Sequence, residues 1–163
     1  MKRALITGVS RNIGKSICKK FLQEGYEVVG TYNTGIESAQ SLQSEHDYLT
    51  LYQVDFCDEI QTSQFISEMK KYRFDVIVNN AGTMNLTEEG EIVHEFYRFK
   101  YEEFEKVMKC NFYAPLRICL ELQNNINEGG SIVNIASTDG MQATYASLSY
   151  AASKAALINL SAS

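Results

Sequence analysis

Short apolar runs alternate five times with longer amphipathic stretches, and this alternation limits the folds open to the chain. The predicted strands cover residues 3–7, 27–32, 48–54, 75–78 and 131–136, and the predicted helices cover 13–23, 36–44, 58–71, 101–124 and 145 to the C-terminus. Strands that alternate with helices pair in parallel through right-handed crossovers. Several strands are apolar throughout, as expected where helices cover both sheet faces. The sequence predicts an α/β fold, a doubly wound parallel sheet with helices on both faces, as one domain over residues 1–163.

The helical segments and the acidic region between them give three more specific predictions. The first predicted helix places Ile13, Ile17, Phe21 and Leu22 near one face, and the third is predicted to face inward with Ile60, Phe65, Ile66 and Met69. Pro115 is expected to kink or break the long helix over 101–124. Residues 83–100 are acidic and irregular, which indicates either a solvated insertion or a flap beside a substrate.

Charge and composition exclude several classes of function. The net charge is −5 without a run of Lys or Arg, so a nucleic-acid surface is not expected. No apolar stretch is long enough to cross a bilayer, and the first apolar run stops at Gly8, too early for a signal peptide. The four cysteines and two histidines fit no zinc pattern, so no metal site is predicted. We expect reduced thiols and a cytoplasmic protein.

A glycine-containing loop, Thr7-Gly8-Val9-Ser10-Arg11-Asn12-Ile13-Gly14-Lys15, follows the first predicted strand. A glycine directly after a strand permits a tight turn, and a glycine at the helix start permits close packing on the sheet. The helix N-terminus offers free N–H groups and the positive dipole end to a pyrophosphate. The pattern predicts a dinucleotide site formed by Gly8, Ser10, Arg11, Asn12, Ile13 and Gly14. An ordinary turn between strand and helix is the alternative.

Four further segments follow in an order and spacing that strengthen this prediction. They are Asn79-Asn80-Ala81-Gly82, Asn111, Ser137 and, thirteen residues later, Tyr150-Ala151-Ala152-Ser153-Lys154. With the glycine loop they resemble the T-G-x-x-x-G-x-G, N-N-A-G, Asn, Ser and Y-x-x-x-K signals of short-chain dehydrogenases/reductases, in particular the NADP-type branch with ketoacyl-carrier-protein reductase. Asn12 stands where that family usually has glycine. Because Asn tolerates left-handed backbone, we expect the loop to keep its shape.

The resemblance implies a Rossmann-like oxidoreductase that interconverts a carbonyl and an alcohol. It makes Tyr150 the general acid/base, has Ser137 hold the substrate oxygen, and has Asn111 hold a water that links Lys154 to solvent. Lys154 also binds the nicotinamide ribose. Lys154 lies one helical turn after Tyr150 on the same face, where a cation favours the phenolate.

The resemblance also implies cofactor contacts beyond the glycine loop. By this resemblance Asn80, Ala81 and Gly82 contact the cofactor, Asp55 contacts the adenine amino group, and Phe56 contributes its backbone N–H. The alternative for Asp55 is a cap for the helix that begins near Asp58.

The end of the second strand bears on the choice of cofactor. An acidic residue there binds the ribose 2′-hydroxyl of NAD, but Gly30-Thr31-Tyr32-Asn33-Thr34-Gly35 contains no carboxylate. A 2′-phosphate would therefore meet no repulsion, while Arg11 supplies a cation and Asn33 a hydrogen-bond donor. The sequence predicts that NADP(H) is preferred and NAD(H) is possible.

The chain stops nine residues after Lys154, whereas the family continues with further strands and a substrate-covering loop. We expect a fragment of a longer protein; alternatively the strands come from elsewhere or the fold ends differently. The fifth strand would then present an unpaired edge. A catalytically silent nucleotide-binding or assembly fragment remains the alternative function. The resemblance implies a homodimer or homotetramer and a small carbonyl or alcohol substrate.

Overall fold

The computed structural model describes residues 1–84, 100–142 and 148–162. Its strands and helices are β1 (Arg3–Ile6), α1 (Asn12–Gln23), β2 (Glu27–Tyr32), α2 (Ile36–Ser44), β3 (Leu49–Gln53), α3 (Glu59–Met69), β4 (Phe74–Asn79), α4 (Tyr101–Met108), α5 (Ala114–Leu122), β5 (Ile126–Asn134) and α6 (Leu148–Ser161). Most of the predicted acidic segment and the predicted start of the last helix at Tyr145 lie outside the described residues.

The strands form one parallel sheet in the order β3-β2-β1-β4-β5. Successive strand residues point to opposite faces, and β1 shows this directly. Leu5 belongs to a core cluster that includes Phe65 and Ile118, whereas its neighbour Ile6 belongs to a second cluster with Cys18. Each face is thus covered by helices, and the predicted α/β fold is confirmed.

The last strand lies at one edge of the sheet, and within the described residues it pairs with β4 alone. It begins at Ile126, five residues before the predicted start, because Ile126 already pairs with Phe74. The register then shifts before the pair Val76 and Ser131. The extra residues include Gly129, with φ of 73°. None of the helices in the described part of the chain is long and apolar enough to cross a membrane.

The predicted helix over 101–124 is divided into two α-helices. A π-helical turn, Lys109–Tyr113, lies between α4 and α5, and Pro115 stands in the first turn of α5. Proline has no N–H and collides with the carbonyl four residues earlier, which here is that of Asn111. The α-helical pattern is therefore interrupted by a π-helical turn that contains Asn111, and the helical segment continues through Pro115 without a break.

One of the predicted inward-facing residues points outward. Ile60 is 70% exposed, while Thr62 takes the buried position with Phe65, Ile66 and Met69. Ile60 lies in the first turn of α3, out of phase with those four positions. On the predicted face of α1, Ile17, Phe21 and Leu22 pack on the core cluster that includes Cys18, whereas Ile13 in the first turn is 59% exposed.

Candidate functional site

The loop between β1 and α1 turns sharply at two residues with positive φ. Gly8 has φ of 76° and Asn12 has φ of 48°, so Asn12 adopts the left-handed backbone expected of it. Thr31 at the end of β2 fixes the loop from the side. Its Oγ1 accepts from Gly8 N at 3.1 Å and its carbonyl accepts from Val9 N at 2.8 Å.

The N-terminus of α1 offers donors to a ligand. The first bond of the helix runs from Lys15 N to the Arg11 carbonyl at 3.2 Å, so the N–H groups of Asn12, Ile13 and Gly14 have no acceptor inside the helix. A Cβ on Gly14 would collide with the Gly8 carbonyl and with Asn80 Nδ2. The predicted lack of space at Gly14 is confirmed, and the obstacle is the loop itself together with Asn80. These donors and the absent Cβ fit a pyrophosphate.

A threonine and an asparagine join this loop to the end of β4. Asn80 Nδ2 donates to the carbonyls of Thr7 at 2.8 Å and Gly8 at 3.0 Å. Thr7 Oγ1 in turn accepts from the backbone N–H groups of Asn80 and Ala81, both at 2.9 Å. The Asn80 and Ala81 positions predicted for cofactor binding therefore lie directly against the glycine loop. Thr7 was not among the predicted site residues, although its hydroxyl connects the two segments.

A second unpredicted pair lies where the loop meets the start of α2. Ser38 Oγ donates to the Ser10 carbonyl at 2.7 Å, and Lys15 Nζ donates to Ser38 Oγ at 3.0 Å. The Lys15 ammonium therefore lies near the end of β2, one helical turn after Arg11 in sequence. The side chains of Arg11 and Asn33 are exposed. The only sequence signal for Lys15 is its spacing of four from Arg11.

The turn between β3 and α3 contains the predicted adenine contacts. Asp58 caps α3, because its Oδ1 accepts from Ile60 N at 2.8 Å and Gln61 N at 3.1 Å. The capping alternative for Asp55 is therefore wrong. Asp55 Oδ1 accepts from Cys57 N at 2.9 Å, and the Phe56 ring is buried in the core.

Asn111 lies in the π-helical turn with its side chain fully buried. Its Oδ1 accepts from Thr83 N at 2.8 Å, and its Nδ2 donates to the Thr83 carbonyl at 2.8 Å and to Ser153 Oγ at 3.0 Å. Both amide hydrogens are thus used. A water at Asn111 stays a prediction.

Lys154 reaches back from α6 toward the ends of the strands. Its Nζ donates to the Ile135 carbonyl at 2.7 Å and lies 5.7 Å from the centre of the Tyr150 ring. A Cβ on Gly82 would lie 3.7 Å from the same Nζ. Burial lowers the pKa of Lys154, because desolvation disfavours a charged ammonium. The same Cβ on Gly82 would lie 3.4 Å from Asn111 Oδ1, so Gly82 lies between Asn111 and Lys154, and Lys154 in turn lies beside the Tyr150 ring.

Ser137 begins a short 3₁₀ turn, Thr138–Gly140, after the end of β5. Its Oγ accepts from Asp139 N at 3.2 Å and lies 3.4 Å from Asp139 Oδ2. Gly140 has no room for a Cβ, which would lie 2.6 Å from Ala155 N and from the Lys154 carbonyl carbon. The serine turn therefore packs on the backbone of α6 at Lys154. Neither Asp139 nor Gly140 was predicted to contribute.

Comparisons with known proteins agree with this arrangement. Over 162 residues the chain is 32% identical to the short-chain dehydrogenase/reductase FrzI of Cladobotryum sp, with 96% of this chain and 60% of that protein covered. Over 161 residues it is 28% identical to the 3-oxoacyl-(acyl-carrier-protein) reductase FabG of Buchnera aphidicola subsp. Schizaphis graminum (strain Sg), covering 96% of this chain and 63% of that protein. It thus spans less than two thirds of each of these two relatives.

The fold resembles that of a short-chain dehydrogenase from Burkholderia cenocepacia J2315 solved in complex with NADP, with a TM-score of 0.85 at 28% identity. The superposition covers 98% of this chain and 65% of that one. The family model described as short chain dehydrogenase matches residues 2–163. Since the match includes both the loop at Gly8 and the helix with Tyr150 and Lys154, the chain belongs to the short-chain dehydrogenase family.

Proposed function

We propose that the chain is the cofactor-binding and catalytic part of an NADP(H)-dependent oxidoreductase that interconverts a carbonyl group and an alcohol. One observation carries the proposal. The Lys154 ammonium lies 5.7 Å from the centre of the Tyr150 ring, and it lies beside Gly82 and donates to the Ile135 carbonyl, beyond the ends of β4 and β5. The glycine loop lies beyond the end of the neighbouring β1, and ligands of open α/β sheets bind in the crevice at such carboxyl ends.

The cofactor would be held by backbone donors and a few side chains. The N–H groups of Asn12, Ile13 and Gly14 would bind the pyrophosphate, since they have no acceptor within α1. Gly8 and Ser10 would shape the loop around it. The remaining contacts would come from Asp55 and Phe56 at the adenine end and from Asn80, Ala81 and Gly82 near the nicotinamide.

The preference for NADP(H) is supported by charge. No carboxylate follows β2 before Glu37, while Arg11 is exposed beside the loop and Lys15 reaches Ser38 at the start of α2. A ribose 2′-phosphate between these groups and Asn33 would gain charge-assisted hydrogen bonds. The neighbour from Burkholderia cenocepacia, solved with NADP, supports the same choice.

A nicotinamide bound at this site would supply or accept a hydride, while the side chains of this chain would transfer the proton. In reduction the Tyr150 hydroxyl would give its proton to the carbonyl oxygen, and in oxidation its oxygen would take the proton back. The Ser137 hydroxyl would donate to the same substrate oxygen. The Lys154 ammonium near the Tyr150 ring favours the phenolate left after proton donation. A water held at Asn111 would link Lys154 to solvent and return the proton.

The test measures binding and turnover separately. NADPH and NADH are titrated into the protein by cofactor fluorescence, and reduction of a ketone panel is then followed. We expect NADPH to bind more tightly than NADH, and Tyr150→Phe to keep NADPH binding while losing about 100-fold or more in kcat. Tyr48→Phe, exposed at the start of β3, is the matched control and should leave both unchanged.

A second variant tests the cofactor preference. Arg11→Ala should weaken NADPH binding about 10- to 150-fold, since a charge-assisted hydrogen bond contributes roughly 1.5–3 kcal/mol, and leave NADH binding unchanged. Full activity in Tyr150→Phe would contradict the assigned chemistry. Failure to bind either cofactor would leave a silent assembly fragment as the function.

A further inference from the structure

A carboxylate contacts the serine to which the proposed function assigns the substrate oxygen. Asp139 belongs to the 3₁₀ turn that follows Ser137. Ser137 Oγ donates to Asp139 Oδ2 at 3.4 Å, and the Asp139 backbone N–H donates back to the same Oγ at 3.2 Å. Both residues are half-buried. The proposed mechanism uses the Ser137 hydroxyl but gives the neighbouring carboxylate no part.

The turn that carries this carboxylate is held in place from two sides. Gly140 N donates to the Ser137 carbonyl at 3.1 Å and closes the turn. A Cβ on Gly140 would lie only 2.6 Å from Ala155 N, so the turn packs directly on the backbone of α6. Because α6 also carries Tyr150, the carboxylate has a fixed position relative to the proposed general acid.

The hydrogen bonds of the Ser137 hydroxyl show what the carboxylate asks of a substrate. A serine hydroxyl has one proton to donate and two lone pairs to accept with. The Asp139 N–H uses one lone pair, and the proton is directed to Asp139 Oδ2. To donate to a substrate oxygen, Ser137 must turn this proton away from Oδ2. The 3.4 Å bond is long and weak, and a donor on the substrate could replace it.

Distance limits where that donor must stand. A substrate oxygen that accepts from Ser137 Oγ lies no more than about 6 Å from Asp139 Oδ2. A substituent on the carbon next to the carbonyl can therefore reach the carboxylate. An ammonium group there would gain a charge-assisted hydrogen bond, whereas a second carboxylate would be repelled. The Lys154 ammonium donates to the Ile135 carbonyl at 2.7 Å, whereas the Asp139 carboxylate contacts the Ser137 hydroxyl itself.

We propose that Asp139 is a specificity-determining residue, which favours ketones with a protonated amino group on the carbon next to the carbonyl and disfavours keto acids. Ser137 would donate to the carbonyl oxygen while the ammonium group donates to Asp139 Oδ2, so that both groups of the substrate are bound at once. The inference rests on the proposed function, because it takes Ser137 as the residue that holds the substrate oxygen.

Three ketones that share a phenyl group test this selection. They are α-aminoacetophenone, propiophenone and phenylglyoxylate, which place an ammonium, a methyl and a carboxylate group near the carbonyl. Their kcat/KM values with NADPH are measured in the wild type and in Asp139→Asn, which keeps the size of the side chain but removes its charge. We expect the ratio of amino ketone to keto acid to fall about tenfold or more in the variant, since a charged hydrogen bond is lost. Propiophenone should change by less than about threefold.

A remote charge provides the matched control. Asp47→Asn removes a carboxylate from an exposed position and should leave all three kcat/KM values unchanged. If Asp139→Asn changes all three ketones by the same factor, Asp139 only shapes the serine turn, and the proposal is overturned. An unchanged ratio of amino ketone to keto acid would overturn it as well, while reduction of the ketones would still support the proposed function.

Binding of the alcohols decides the question if no ketone is reduced. In that case the proposed function fails, and saturation-transfer NMR compares phenylethanolamine with mandelate on the protein, with and without NADPH. We expect phenylethanolamine to bind more tightly than mandelate, and Asp139→Asn to remove the difference. Equal binding of the two alcohols, or binding of neither, would then overturn the role given to Asp139.

Discussion

Gly14→Ala is the substitution whose effect follows most directly from the structure. A Cβ at this position would strike the Gly8 carbonyl group and Asn80 Nδ2. The first obstacle is backbone, and the second is a side chain already held by the Thr7 and Gly8 carbonyls. Neither can move without loss, so the loop or the end of β4 must shift.

The size of the effect can be worked out from these contacts. Moving the Asn80 amide gives up two hydrogen bonds, each contributing about 1 kcal/mol net. Displacing the Gly8 carbonyl adds an overpacking cost of about 1–3 kcal/mol. Alanine recovers about 1 kcal/mol over glycine in a helix. The net loss is about 2–4 kcal/mol.

This loss should be visible in two measurements. If the lost free energy destabilises the whole fold, Tm drops by roughly 4–16 °C, at about 2–4 °C per kcal/mol for a chain of this size. If only the loop relaxes, the Kd for NADPH rises about 30- to 1,000-fold. Circular dichroism melting and cofactor fluorescence distinguish the two cases.

Gly129→Ala is the matched control. Gly129 has a positive φ but open space where a Cβ would stand, so its substitution should cost about 1–2 kcal/mol of backbone strain and leave NADPH binding unchanged. A Gly14→Ala protein with the wild-type Tm and the wild-type Kd would refute the steric argument.

Two further substitutions test hydrogen bonds at the ends of the sheet. Thr7→Val leaves the N–H groups of Asn80 and Ala81 without their acceptor and should cost about 2–4 kcal/mol in urea denaturation, whereas Thr7→Ser should cost much less; equal stability of the two variants would contradict this role. A hydrogen bond from Arg3 N, and a smaller contribution from Asn127, lower the pKa of Asp75. At pH values above the ordinary pKa of 3.8 the ionised Asp75 therefore stabilises the fold, and this stabilisation is lost as the pH falls through the lowered pKa. In Asp75→Asn the free energy of unfolding should therefore fall less between neutral pH and pH values below about 4. In the control Asp47→Asn, at an exposed position, the free energy of unfolding measured by denaturation at each pH should fall as in the wild type.

The sheet could be predicted from the sequence because its signals are local. Continuous apolar runs mark the strands, and the run at Val28 and Val29 is buried as expected. Helix phase was less well predicted, because apolarity alone selected Ile60 for the core. The capping of α3 by Asp58 places Ile60 in the first turn, and the polar Thr62 is buried instead.

The sequence allowed the residues of the candidate site to be named, but few of the contacts between them could be predicted. Gly8, Asn80 and Lys154 belong to recognisable motifs, so their positions could be named. The partner of Asn111 is Thr83, 28 residues away, and no local pattern indicates that pairing. Ser38 joins Lys15 to the Ser10 carbonyl, and such a bridge depends on how α2 packs rather than on any motif.

The edge position of β5 should give its backbone amides two different rates of hydrogen exchange. Alternate residues of a strand direct their N–H groups to opposite sides, and Ile135 N donates to the Asn79 carbonyl. By the same alternation the Val133 amide faces β4, whereas those of Ile132 and Asn134 face the open edge. The outward pair should exchange with deuterium quickly and Val133 slowly. Any strand that later pairs with this edge would slow Ile132 and Asn134 while leaving Val133 unchanged, so these amides would report whether the edge is occupied.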